Sequence, residues 1–91
     1  MYETFDEYKT RLDEIIRIGK LKPEYKQVLL EISELAQQAV SLGLIHGSGW
    51  GEDANCNIID EYEIFDNKGN ALYLTLSETR SYLQDLISSS L

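Results

Sequence analysis

Cys56 and His46 are the only cysteine and the only histidine in this sequence, so they are the first residues to consider for chemistry. A cysteine nucleophile needs a neighbouring base or a positive potential that stabilises its thiolate. The charged residues near Cys56 in sequence are acids, which oppose a thiolate. One cysteine and one histidine are also too few to hold a zinc ion. We therefore predict no catalytic residue, no metal site and no cofactor, and we do not expect an enzyme.

Glycines alternate through the segment Gly47–Gly51, which invites comparison with a phosphate-binding loop. Such a loop lies between a strand and the N-terminus of a helix, whose backbone N–H groups bind the phosphate. Here a predicted helix precedes the glycines, an acidic segment follows them, and no lysine lies among them. His46 also stands where the serine-hydrolase elbow requires glycine. The segment is therefore predicted to be a flexible connecting loop.

Asp53, Asn55 and Asn57 repeat the first three ligand positions of an EF-hand calcium loop. That loop also requires a glycine at its sixth position and a glutamate at its twelfth. This sequence has Ile58 and Ile64 at those positions, within a predicted strand. Half of the motif does not enclose a calcium ion, so we predict a polar turn here.

The acidic residues form the strongest pattern in the sequence. The formal net charge is −8, and residues 1–26 and 68–91 each contain equal numbers of acids and bases. Residues 27–67 contain eight acids and no lysine or arginine, so they carry the whole net charge. A protein that binds a nucleic-acid backbone or an anionic membrane needs a basic surface. Direct binding to nucleic acids and to membranes is therefore disfavoured.

Carboxylates and large aromatic side chains are predicted to share one surface. Glu61 and Glu63 alternate with apolar residues on a predicted strand, and Trp50 lies in the preceding loop. Aromatic anchors ringed by charge are typical of protein interfaces. The candidate partner-binding residues are Trp50, Glu52, Asp53, Asp60, Glu61, Glu63, Phe65, Asp66 and Tyr73. A solvated acidic sheet face is the alternative explanation.

These residues predict a protein partner whose surface is rich in lysine and arginine, because the acids would supply steering and charge-assisted hydrogen bonds. Basic surfaces of this kind are commonly grooves that bind nucleic acid. A compact acidic domain that fills such a groove acts as an inhibitor by imitating phosphates. Anti-CRISPR proteins of phages and the immunity proteins of nuclease toxins are of this physical type.

A structural or assembly module is the alternative function. Such a module would dimerise through its long second helix, or it would add a strand edge to a partner sheet. Salt separates the two hypotheses, since ionic docking weakens steeply with salt and a helix-mediated dimer does not. A homodimer is left open.

Two amphipathic helices are predicted before the acidic segment. Thr4 and Glu7 form a capping box, and apolar residues then recur every three or four positions up to a stop at Gly19. A second helix is predicted from Pro23 to a stop at Gly43. The short connection between the two makes an antiparallel helical hairpin.

A β-hairpin is predicted from the spans Asn57–Asp66 and Ala71–Leu76, with Gly69 in the left-handed position of the connecting turn. Opposite residues in an antiparallel pair project to the same face, so the register also predicts which side chains are buried. The predicted buried pairs are Ile64 with Leu72 and Tyr62 with Leu74, and the predicted exposed pairs are Phe65 with Ala71 and Glu63 with Tyr73.

Ser77 is predicted to cap a last helix, whose residues 88–91 fray. A short strand near Leu44–His46 is left open. The order is therefore α-α-β-β-α in one compact α+β domain, residues 1–91. The N-terminus lacks the features of a signal peptide, and no apolar run is long enough to span a bilayer. With one cysteine there is no disulfide within the chain, so we expect a cytoplasmic protein.

Overall fold

A computed structural model describes residues 3–91 and confirms the α+β class and the order of helices and strands. The elements are helix α1 (Phe5–Arg17), a 3-10 turn (Pro23–Tyr25), helix α2 (Lys26–Ser41), strands β1 (Gly47–Glu52), β2 (Ile58–Phe65) and β3 (Ala71–Leu74), and helix α3 (Leu76–Ser90). The strands form one antiparallel sheet in the order β1-β2-β3, so β1 and β3 are both edges. The helices pack against one face of this sheet.

Reciprocal side-chain caps start two of the helices. The capping box predicted at α1 is confirmed, because the Thr4 hydroxyl accepts from the N–H of Glu7 at 3.1 Å and the Glu7 carboxylate accepts from the N–H of Thr4. Helix α3 starts with the same motif, made by Thr75 and Glu78. The prediction of Ser77 as its cap is therefore wrong, since Thr75 has the glutamate three residues later that completes the motif.

Glycines end the first two helices as predicted. Gly19 and Gly43 have positive φ values of 80° and 73°. The N–H of the residue that follows each glycine returns to a carbonyl in the last helical turn, as in a Schellman motif. Helix α3 has no such stop and continues to Ser90, where fraying was predicted.

The predicted register of the β2–β3 hairpin is confirmed for all four cross-strand pairs. Ile64 and Tyr62 are buried and Leu74 is half-buried. The burial predicted for Leu72 is wrong, because this side chain is 39% exposed. Leu72 lies on an edge strand, where one flank of the side chain has no neighbouring strand to cover it.

Strand β1 occupies the segment predicted to be a flexible loop, so that prediction is wrong. Its glycines conceal the alternation of buried and exposed side chains by which strands are recognised in a sequence. Pairing with β2 converts a two-stranded ribbon, which is marginal by itself, into a three-stranded sheet. The third strand lies just after Leu44–His46, the place left open for it.

The core lies between the inner face of the sheet and the three helices. Leu12 of α1, Ile32 of α2 and Leu83 of α3 are fully buried there. Most of the apolar stripe of α2 is covered within the chain, although Leu42 at its end is exposed. Within residues 3–91, no helix combines the length and the apolar composition needed to cross a bilayer.

Candidate functional site

The solvent face of the sheet, called the outer face below, brings together four of the candidate residues. Residues that pair across antiparallel strands share a face, so the register determines the membership of this surface. The outer face consists of Gly47, Gly49, Gly51, Glu61, Glu63, Phe65, Ala71 and Tyr73. The other candidate residues lie on the inner side of the sheet or in its turns.

Glu61 and Glu63 are the two carboxylates of the outer face, and both side chains are half-buried. Among residues 3–91, neither carboxylate takes part in an ion pair or accepts a side-chain hydrogen bond. The Glu61 side chain lies over Gly51, where an added Cβ would come within 3.1 Å of it. Both carboxylates therefore keep their full capacity to accept hydrogen bonds from a lysine or arginine of another molecule.

Two exposed aromatic side chains flank these acids. Phe65 is 40% exposed, and Tyr73, which pairs with Glu63 across the strands, is 58% exposed. A partner that buries the apolar surface of these rings gains free energy from its removal from water, while the neighbouring charges set the orientation. The combination expected from the sequence is therefore present for these four residues.

Asp53 and Asp66 have a different role, because each carboxylate holds a β-turn closed. Asp53 Oδ1 accepts from the backbone N–H groups of Asn55 and Asn57 at 2.8 and 3.0 Å, and its Oδ2 accepts from the Asn57 side chain. Asp66 makes the same three bonds in the next turn, with the N–H groups of Lys68 and Asn70 and with the Asn70 side chain. The half EF-hand motif is thus one of two copies of the same turn.

These hydrogen bonds lower the pKa of both carboxyls. The N–H of Asn57 is the largest cause for Asp53, and the N–H of Asn70 is the largest for Asp66, because each bond stabilises the ionised form. Lys20 adds a smaller attraction to Asp53. Both acids are therefore ionised in the folded protein, but their oxygen atoms are largely committed to the turns.

Glu52 and Asp60 are also engaged within the chain. Glu52 accepts a hydrogen bond from the indole N–H of Trp50 at 3.0 Å. Asp60 accepts from the backbone N–H of Leu76 at 2.9 Å, at the N-terminus of α3, where a negative charge is favoured by the helix dipole. Neither lies on the outer face. The nine candidate residues therefore do not form one surface.

Trp50 lies on the inner side of the sheet, opposite Tyr62, and is half-buried. Its ring is 6.1 Å from that of Tyr8, and the guanidinium of Arg11 lies 4.9 Å from its centroid. Arg11 also pairs with Glu3 at 3.4 Å. Trp50 therefore does not join Phe65 and Tyr73 as an anchor on the outer face.

This aromatic and charged cluster was missed in the sequence. The spacing of Tyr8 and Arg11 on one helix indicates that those two side chains are neighbours. The sequence pattern did not connect Tyr8 and Arg11 with Trp50, because strand β1, which carries Trp50, was predicted to be a loop.

His46 and Cys56 lie at opposite ends of the β1–β2 hairpin. The backbone N–H of His46 donates to the carbonyl oxygen of Phe65 at the open end of the hairpin. Cys56 is exposed in the turn at the other end. Cys56 has a φ of 65°, in the region that favours glycine, and occupies the position that Gly69 has in the second turn. Within residues 3–91, no group of three His, Cys, Asp or Glu side chains is placed to hold a metal ion.

Comparison with protein-family models, with curated proteins and with solved structures finds no match for this chain.

Proposed function

We propose that this protein is a cytoplasmic binding module that docks the outer face of its sheet on a lysine- and arginine-rich surface of another protein. Glu61 and Glu63 accept charge-assisted hydrogen bonds from that surface, and Phe65 and Tyr73 are the apolar anchors. The preferred target is a groove that binds nucleic acid. The module then inhibits its partner by imitating phosphates, in the manner of anti-CRISPR and immunity proteins.

A single observation carries the proposal: two carboxylates that have no ion-pair or side-chain hydrogen-bond partner among residues 3–91 lie beside two exposed aromatic rings, on a face that none of the described helices covers. The other acids of residues 27–67 accept hydrogen bonds within the fold, except Glu34, which is exposed on α2. Glu31, for example, binds the Arg80 side chain at 2.6 Å, which also lowers its pKa. Two of the three acids of this segment without such a bond among residues 3–91 therefore lie on the outer face, close to the apolar surface that a partner would bury.

A helix-mediated dimer draws less support. The inner stripe of α2 packs against α1 and α3. Among residues 3–91, the large apolar side chains exposed at this helix are Val40 and Leu42, at its C-terminal end. Scattered exposed apolar residues of this kind are common on protein surfaces.

Affinity capture from a lysate with three baits tests the proposal. The baits are the wild type, the double variant Glu61→Lys/Glu63→Lys, and the control variant Glu34→Lys/Asp85→Lys. The control makes the same change in net charge with two exposed acids on helices α2 and α3. We expect the same basic protein to be retained by the wild type and by the control and to be lost from the outer-face variant. An identical set of proteins from all three baits would contradict the proposal.

Displacement of nucleic acid is the second readout. A partner that binds a fluorescent duplex should release it when this chain is added, and the outer-face variant should fail to release it. A captured partner that binds the duplex and this chain at the same time would leave binding intact and remove the phosphate-imitation part of the proposal.

A further inference from the structure

Strand β1 has a free edge. It pairs only with β2, so the backbone N–H and C=O groups on its other side point away from the sheet. Among residues 3–91, no helix or loop donates a backbone hydrogen bond to that side. Proteins usually protect such an edge with lysine, proline or a covering element. The stretch Gly47–Gly51 has no charged residue and no proline, and only a bulge between Trp50 and Glu52 interrupts it.

The glycines of β1 leave its outward surface bare. A Cβ at Gly47 or Gly49 would meet no atom within 4 Å, and neither residue has a positive φ. Packing and backbone conformation therefore require neither glycine, although each costs about 0.5–1 kcal/mol in a strand. Glycine within a strand often marks a place where another backbone or a ligand approaches closely.

The absence of side chains at the β1 glycines also gives side chains of an added strand a direct route to Glu61 and Glu63. Strands lie about 4.8 Å apart, so a strand added to β1 would run about 10 Å from β2. A lysine or arginine on the added strand can lie flat across Gly49 and meet Glu63, which is opposite Gly49 on β2. A larger residue at position 49 would block that path.

The other side of β1 has room for side chains as well. Two adjoining clefts, of about 410 and 630 Å³, follow the strand on its helix side and share Ala36, Gln37 and Ser48 as lining residues. Tyr8 lines the first cleft, and its hydroxyl is buried without a hydrogen-bond partner among residues 3–91. Tyr8 is 8% exposed, so this is a buried polar group whose missing partner is costly.

We propose that the free edge of β1 takes an extended segment of the partner as an added strand, with basic side chains crossing the outer face to Glu61 and Glu63 and small polar side chains entering the cleft. This rests on the proposed function, because it names the form in which the basic surface is presented. A second copy of this chain fits less well. Its own β1 carries no lysine or arginine and would bring two acidic faces together.

The test titrates the peptide acetyl-Lys-Thr-Lys-Thr-Lys-Thr-Lys-amide into the isotopically labelled protein and follows backbone amides by NMR. The strand-blocking variant is Gly49→Val, where a Cβ has free space. Its matched control is Ala71→Val, on the same face but on the opposite edge strand. We expect the β1 amides to gain protection from exchange. Gly49→Val should weaken binding about tenfold and Ala71→Val less than about twofold.

A further probe examines the backbone contact by itself. The same peptide with every backbone nitrogen methylated should not bind, because it cannot donate to the strand edge.

Each contrary result has a distinct meaning. If Gly49→Val binds as the wild type does, while Glu61→Lys/Glu63→Lys does not, the added strand is wrong and the acidic docking face stands. If the peptide binds neither the wild type nor any variant, or binds all of them equally, the result contradicts the proposed function as well as the added strand. If the protection of the β1 amides from exchange rises with protein concentration in the absence of peptide, the strand that adds to β1 belongs to a second copy of this chain and not to a partner.

Discussion

Replacing Cys56 with glycine should stabilise the protein, because the two turns of the sheet are the same structure with different residues at one position. In both turns an aspartate accepts from the N–H groups two and four residues later, and the intervening residue has a positive φ. That residue is Gly69 in the second turn, with φ 86°, and Cys56 in the first, with φ 65°. Only Cys56 carries a side chain in this conformation.

The size of the effect follows from two opposing contributions. A side chain in the left-handed region costs about 1–2 kcal/mol. Glycine loses about 0.5–1 kcal/mol more backbone entropy on folding. Cys56 is exposed, so its removal sacrifices no core packing. The net gain is about 0.5–1 kcal/mol, which corresponds to a rise in Tm of roughly 2–8 °C for a domain of this size.

Thermal unfolding followed by circular dichroism measures the change, with Cys56→Ala and Gly69→Ala as matched variants. Cys56→Ala removes the thiol but keeps a Cβ, so it should bring no comparable gain. Gly69→Ala introduces the strain and should lower the Tm. An equal gain from Cys56→Ala would attribute the effect to the thiol, and a loss with Cys56→Gly would refute the reasoning.

Two further predictions concern stability. Ile64→Ala should lower the free energy of unfolding by about 2–5 kcal/mol and Leu72→Ala by less than about 1 kcal/mol, because Ile64 is fully buried and Leu72 is 39% exposed; similar losses in urea titrations would contradict the assigned burial. Acid should also destabilise the fold. The pKa values of Asp53 and Asp66 are lowered in the folded state, so their stabilisation is complete above the ordinary aspartate pKa of about 4 and is lost as the pH falls through the folded values. Unfolding midpoints between pH 5 and pH 2 should fall less steeply for Asp66→Asn, and an unchanged slope would count against this cause.

The sequence is informative where a side chain or a glycine has one structural explanation. Gly69 predicted both the turn and the register of the β2–β3 hairpin, and Gly43 predicted the end of α2, because a left-handed residue is required at each position. The polar turn predicted at Asp53–Asn57 is present, but it was not recognised as the connection of a hairpin, because Cys56 stands in the place of the expected glycine. Strand β1 escaped notice because its glycines carry no side chains to show a buried face.

The candidate site was only partly predictable for a related reason. Alternation along β2 correctly grouped Glu61 with Glu63, since a strand places every second residue on one face. The positions of Trp50 and Asp60 depend on contacts with distant elements, Tyr8 of α1 and Leu76 of α3. Charge counts also could not reveal that Glu31 is neutralised by Arg80, a residue far along the chain.

The affinity for the captured partner at two salt concentrations is the sharpest test of ionic docking through the outer face. The Debye length falls from about 10 Å at 0.1 M salt to about 3 Å at 1 M, so docking through Glu61 and Glu63 should weaken steeply between the two. We expect this loss for the wild type and for Glu34→Lys/Asp85→Lys, and we expect no measurable binding by Glu61→Lys/Glu63→Lys at either salt concentration. An affinity of Glu61→Lys/Glu63→Lys that equals the wild-type affinity at both salt concentrations would contradict docking through these two carboxylates.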